Sequence, residues 1–168
     1  MQQKLFKPLF PTATFSEDRK YRYTLYREWN QQKGMVMIIG LNPSTADETK
    51  DDPTIRRCLN FAKDWGFGRL MMVNLFAIRG TDPQILKEVS DPIGPQNDFY
   101  LKSMAEKSDL IIGAWGVDGV YKNRGVTIKK LIPDMNCLGI TKNGQPKHPL
   151  YLKKDTKWME WNIGTIGE

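Results

Sequence analysis

The sequence predicts an α/β domain of three layers, α/β/α, built on a central four-stranded parallel sheet. Two observations lead to it. Short, wholly apolar runs recur along the chain: "MVMIIG" (35–40), "RLMMVNLFAI" (69–78), "DLIIGAWG" (109–116) and "MNCLGI" (135–140). Amphipathic helical patterns separate them. Strands buried on both faces read as continuous apolar runs, and parallel neighbours need a crossover, usually a helix, between them.

Taken in order, "KYRYTLYREW" (20–29) alternates and is rich in aromatics, which predicts an antiparallel strand at a sheet edge. "TIRRCLNFAKDWG" (54–66) places Ile55, Cys58, Leu59, Ala62 and Trp65 on one helical face and closes at Gly66. Asp82 as N-cap with Pro83 behind it opens a second helix over 81–89. A third is predicted over 95–107, and a fourth over 119–132 with Val120, Ile128, Leu131 and Ile132 inward. No repeat, low-complexity tract or linker divides the chain. One domain over 1–168 is expected: a strand extension (1–34), a core (35–155) and a tail (156–168).

At 168 residues the chain is long enough to bury a core. No apolar run approaches the roughly 20 residues that span a bilayer, and the opening "MQQKLFKPLFPTATF" lacks the apolar stretch of a secretion signal. A soluble, cytoplasmic, monomeric protein with no membrane partner is the expectation. Cys58, Cys137 and the single histidine, His148, offer no ligand set for zinc or an iron–sulfur cluster, and both cysteines read as buried thiols. Neither a cofactor nor a metal is expected. Asp47, Glu48, Asp51 and Asp52 lie together and leave carboxylate-bound magnesium as the alternative, although such clusters are usually solvated.

The formal charge is +6, and from Lys122 onward nine basic residues face four acidic ones, so the excess lies in the C-terminal third. That favours a polyanionic partner, nucleic acid above all.

In an open parallel sheet, ligands lie beyond the carboxyl ends of the strands. The first apolar run ends in "GLNPSTAD" (40–47), where Gly40 admits a close backbone, Pro43 stiffens the exit, and Asn42, Ser44, Thr45 and Asp47 supply short polar groups. A capped turn would use the same residues. The second run ends in Asn74 and continues through Phe76 to Arg79. The third exits into Trp115, Gly116 and Asp118, and the fourth into Thr141, Lys142 and then His148. Asn side chains carry the donor and acceptor needed to read a nucleobase edge. Aromatics such as Phe76, Trp115 and Tyr151 offer stacking surfaces, and His148, held by Pro149, is a donor for developing negative charge. "GAWGVDG" (113–119) can approach a phosphate or form a plain turn.

"GLNPS", "VNLFAIR" and "KHPLYL" look like the three signature segments of the uracil-DNA glycosylase superfamily. The resemblance implies that fold, with Asn42 orienting the hydrolytic water, Asn74 recognising the base and His148 stabilising the departing base. More closely, "GLNPSTAD", "DDPTIRRC", "VNLFAIRGTDP", "GPQND" and "CLGITKNGQPKHPLYL" resemble the domain of unknown function 1643 family, over about 16–155. The last motif reads His148-Pro149-Leu150, without the serine that commonly follows.

The expected function is hydrolysis of the N-glycosidic bond of a damaged or modified base, metal-independent, on nucleic acid and first of all DNA. Asn42, His148 and Asp47 are the expected catalytic residues. Gly40, Leu41, Pro43, Ser44, Arg56, Asn74, Phe76, Trp115, Thr141 and Tyr151 are expected at the base or substrate, and Lys142, Lys147 and Lys153 at phosphates. A nucleotide or modified-base binding module without catalysis, and a glycosidase of free nucleotides, are the alternatives.

Overall fold

The structure, a computed structural model, describes residues 7–162. Its elements in chain order are β1 (Ala13–Phe15), β2 (Arg22–Glu28), β3 (Met35–Gly40), α1 (Pro53–Asp64), β4 (Arg69–Asn74), α2 (Ile85–Glu88), α3 (Asn97–Lys107), β5 (Leu110–Gly113), α4 (Arg124–Leu131), β6 (Asn136–Cys137) and β7 (Met159–Glu160). The 3₁₀ turns Val117–Asn123 and Pro149–Tyr151 precede α4 and follow β6.

The strands form one mixed sheet of seven, in the order β1-β2-β4-β3-β5-β6-β7. β3 pairs parallel with β4 and β5, and β5 parallel with β6. β1 on β2, β2 on β4 and β7 on β6 are antiparallel. The sheet is thus larger than the four strands expected, extended by antiparallel strands on both sides. β2 is not its edge either, because β1 covers it. With Tyr23, Leu25 and Tyr26 buried, a bare β2 ladder would leave an apolar edge unpaired.

Alternation along β3 sends side chains to both faces. Met35, Met37 and Ile39 join Met71 and Val73 beneath Leu101 and Met104 of α3 and Ile128 of α4. Val36 and Ile38 join Leu70, Met72 and Ile112 beneath Ile55, Cys58, Phe61 and Ala62 of α1. Asp52 caps α1, its carboxylate accepting the Ile55 N–H at 2.9 Å with Pro53 at the first helical position. A cap of this kind contributes about 1 kcal/mol. Both cysteines are free and buried, and burial pushes the Cys58 thiol up to about 12.

Elsewhere the boundaries move. β4 ends at Asn74 as expected, and the rest of its apolar run, to 78, leaves the strand, the Leu75 and Phe76 N–H groups donating to the carbonyls of Gly40 and Leu41. The helix expected over 81–89 is only the single turn α2. The one expected over 119–132 divides into a 3₁₀ turn and α4, since Lys122 and Asn123 adopt positive φ. Val120 consequently lies 51% exposed instead of inward. β6 is two residues long, and Ile140 leaves the strand to bridge Pro146.

β7 and the buried Trp161 join the sheet and core, so the chain beyond 155 contributes to both. The portions of the expected extension before 7 and of the tail after 162 lie outside the described residues. Among the described residues no helix is long and apolar enough to cross a membrane.

Candidate functional site

The exits of β3 and β4 are stitched together by their backbones. Leu75 N–H donates to Gly40 O at 2.9 Å, Phe76 N–H to Leu41 O at 3.0 Å and Gly80 N–H to Pro43 O at 2.9 Å. Asn42 adds a side-chain anchor: its Nδ2 donates to the Gly80 carbonyl at 3.1 Å and more weakly to those of Pro43 (3.4 Å) and Ile78 (3.5 Å). Carbonyls accept only, so this contact fixes which way the amide points. Oδ1 is left without a hydrogen bond among the described residues. Asn42 is therefore an oriented acceptor.

Asn74 is different. It is only 3% exposed, yet its side chain makes no hydrogen bond among the described residues, and Nδ2 is a buried donor without a partner. Buried polar groups are almost always satisfied, and an unmade bond costs about 1–3 kcal/mol. Gly40 stands beside Asn74 in the parallel register. A Cβ at Gly40 would lie 2.7 Å from Asn74 Oδ1, so only glycine leaves the amide its place.

The exit of β5 carries Trp115, buried to 1%, whose Nε1–H donates to Gln145 Oε1 at 2.8 Å. Gly116, at φ +78°, donates its N–H to Pro146 O at 2.8 Å, tying this exit to the segment that carries His148. His148 caps the Pro149–Tyr151 turn, its Nδ1 accepting the Leu150 N–H at 3.2 Å. The neutral ring then carries its proton on Nε2, a donor. Burial pushes the His148 pKa below its ordinary value. The unfolded chain therefore takes up the proton first, and stability from this group declines as pH falls through the ordinary imidazole range. His148 is the only histidine. Its imidazole carbon protons should titrate by NMR with a midpoint below about 6.5, and a midpoint at or above that value would contradict this environment.

These exits enclose a cleft of about 510 Å³. Gly40, Leu41, Asn42, Pro43, Ser44, Asn74, Trp115, His148 and Tyr151 all line it. Tyr151 is 89% exposed, with its ring centroid 6.2 Å from that of His148. Trp115 lines it as a core side chain, only 1% exposed.

The other expected residues lie elsewhere. Asp47 does not line the cleft; it accepts the backbone N–H groups of Thr49 (3.0 Å) and Lys50 (2.8 Å), and these bonds lower its pKa. Phe76 is fully buried in the core against Tyr121. Arg56 is an exposed residue of α1, its Nη1 turned back to the Asp51 carbonyl. Thr141 closes a turn with Asn143 and the Gln145 N–H. Lys142, Lys147 and Lys153 are exposed and outside the cleft.

The acidic cluster is likewise accounted for. Glu48 pairs with Arg19, Asp51 with Arg27, and Asp52 caps α1. Among the described residues no group of three or more His, Cys, Asp or Glu side chains is placed to hold a metal ion.

Sequence reasoning missed Arg22, which lines the cleft from the start of β2 with Asp52 and Thr54. The signal was present: Arg22 alternates with Tyr21 and Tyr23, which stack together and, through Tyr23, on Tyr100 of α3. A cation between them in a covered strand must point to the opposite side.

The chain belongs to the DUF1643 family, described as a protein of unknown function, whose family model matches residues 22–150. No curated protein and no solved structure matches it.

Proposed function

We propose that the cleft holds a nucleobase and that the protein hydrolyses the N-glycosidic bond of a damaged or modified base presented by DNA. The observation that carries this reading is Asn74: a buried amide with no hydrogen-bond partner among the described residues, at the wall of a cleft. An amide with a free donor and acceptor is matched by the edge of a base. The resemblance to the uracil-DNA glycosylase superfamily, and with it that fold, belongs to the same proposal. The parallel order β4-β3-β5-β6 with polar segments at the strand exits supports it.

In this reading the base enters the cleft flipped from its stack. The C1′–N bond breaks with its electron pair going to the base, whose negative charge the His148 Nε2–H and Asn74 Nδ2 stabilise. Asn42 Oδ1 accepts a hydrogen bond from the water whose oxygen bonds to C1′. The water's proton passes to the departing base or to solvent. Such a dissociative path asks for orientation and charge stabilisation rather than a strong base.

The test is incubation with oligonucleotides and nucleotides carrying a panel of modified bases, followed by mass spectrometry for released base. Release requiring Asn74 is the expected result. Saturable binding without release would leave a base-binding module instead.

The lysines give a second measurement. The exposed Lys147 and Lys153 flank the His148 turn, and as DNA phosphate ligands each would steepen the log–log dependence of affinity on salt by about 0.9 on duplex. Replacing both should flatten that slope by roughly one to two without changing base preference, because phosphate contacts position and base contacts specify. Fluorescence anisotropy over a salt series reads this directly, and an unchanged slope would remove these lysines from the DNA path.

A further inference from the structure

Arg22 is buried to 2%, and its bonds account for only part of its guanidinium. Nη1 donates to the Ala46 carbonyl at 3.0 Å, while Nε is a buried donor without a partner among the described residues. It forms no ion pair among the described residues. The carboxylate of Asp52 lines the same cleft, but its oxygens face the Ile55 N–H at 2.9 Å and, at 3.4 Å, the Ala46 N–H. Burial lowers the Arg22 pKa to about 10, with Asp52 acting in the opposite direction. The side chain thus remains a cation at neutral pH. A desolvated guanidinium with an unused N–H is expensive unless a ligand completes it.

We propose that Arg22 and the adjoining N-terminus of α1 form an anion subsite of the cleft that takes a phosphate of the bound nucleotide. α1 is 12 residues long and begins at Pro53, and Thr54 of its first turn lines the cleft with Arg22. Pro53 carries no N–H and the Asp52 carboxylate already accepts that of Ile55, so the first turn adds only Thr54 and the helix dipole. The main donors are those of the guanidinium, whose planar array suits phosphate oxygens. The exposed lysines do not line this cleft, so Arg22 is the cationic side chain that reaches a ligand inside it. The subsite deepens the nucleotide reading of the same cleft but rests on a different group from the base-reading Asn74.

Titration of the protein with inorganic phosphate, followed on the Arg22 Nε–H resonance by NMR and by calorimetry, tests it. That resonance should shift saturably in the wild type. Arg22→Gln should weaken phosphate binding about tenfold or more, and Arg22→Lys should retain part of it. Circular dichroism identifies a variant that fails to fold, and the wild-type resonance decides the matter without either variant. An unshifted resonance, or equal phosphate affinity in a folded Arg22→Gln, overturns the proposal.

Comparison of nucleoside 5′-monophosphates with dinucleotides bearing only an internal phosphodiester then assigns the source. An Arg22-dependent preference for the monophosphate marks a free nucleotide, and equal Arg22-dependent binding marks nucleic acid. Base release that survives Arg22→Gln, with no phosphate binding in the wild type, would sink the subsite and leave the hydrolase. Phosphate binding without base release would do the reverse.

Discussion

If the cleft hydrolyses the glycosidic bond as proposed, His148→Ala should lower base release on the order of 10²–10³-fold, and Asn42→Ala should do the same, while both variants should melt close to the wild type. The first loss follows from the Nε2 proton. With Nδ1 occupied by the Leu150 N–H, the neutral imidazole has one donor, and the ring lines the cleft. Removing a donor aimed at developing charge withdraws stabilisation from the transition state more than from the bound substrate. The fall should therefore appear in kcat more than in KM. Asn42 loses an acceptor that its backbone anchor, the Gly80 carbonyl above all, holds in one orientation. Asn42→Asp separates orientation from mere acceptance, because a carboxylate cannot donate to those carbonyls. It should restore little. Single-turnover assays on whichever base the panel identifies give the measurement. Full activity in both alanine variants would place the chemistry on other groups and end the roles given to Asn42 and His148.

How much of this was legible in the sequence depends on how local the cause is. β3 and α1 were legible because burial on two faces writes an unbroken apolar run, and burial on one face writes a 3.6-residue period. Asn42, Asn74, Trp115 and His148 were legible as strand exits for the same reason. β1 and β7 have three and two residues, too few to carry a period, and they exist only because β2 and β6 need partners.

Val120 misled because the residues that break its helix, Lys122 and Asn123, do so through positive φ, which residue type only weakly signals. Asp47 and Thr141 misled for a further reason. Short polar side chains at a strand exit serve turns and sites alike, and only coordinates reveal that their own backbone occupies them. Arg22 lies far from the motifs in sequence, and only the fold brings β2 to the exit of β4.

Trp115→Ala should destabilise the protein by about 3–5 kcal/mol, the range for truncating a large buried aromatic. Trp115 was expected to be a substrate-stacking ring, but its surroundings make it a core side chain that also lines the cleft. It is 1% exposed and meets Trp161 edge-on at 5.3 Å. A Cβ at Gly119 would lie 2.1 Å from its Cδ1 and Nε1, and one at Gly125 2.5 Å from the Gln145 oxygen that accepts its N–H. Two glycines therefore leave the room in which indole and amide meet. Truncation to alanine opens a cavity there and strands Gln145, itself only 2% exposed. Trp115→Phe keeps most of the packing and loses the hydrogen bond, so about 1–3 kcal/mol should go, the cost of a buried acceptor left unpaired. Net stability of a domain is only about 5–15 kcal/mol, so the alanine variant should unfold at much lower urea while the phenylalanine variant falls between. Urea titrations read by far-ultraviolet circular dichroism give the order. A ring that served only to stack on substrate would leave both midpoints where the wild type has them, and that outcome would return Trp115 from the core to the site.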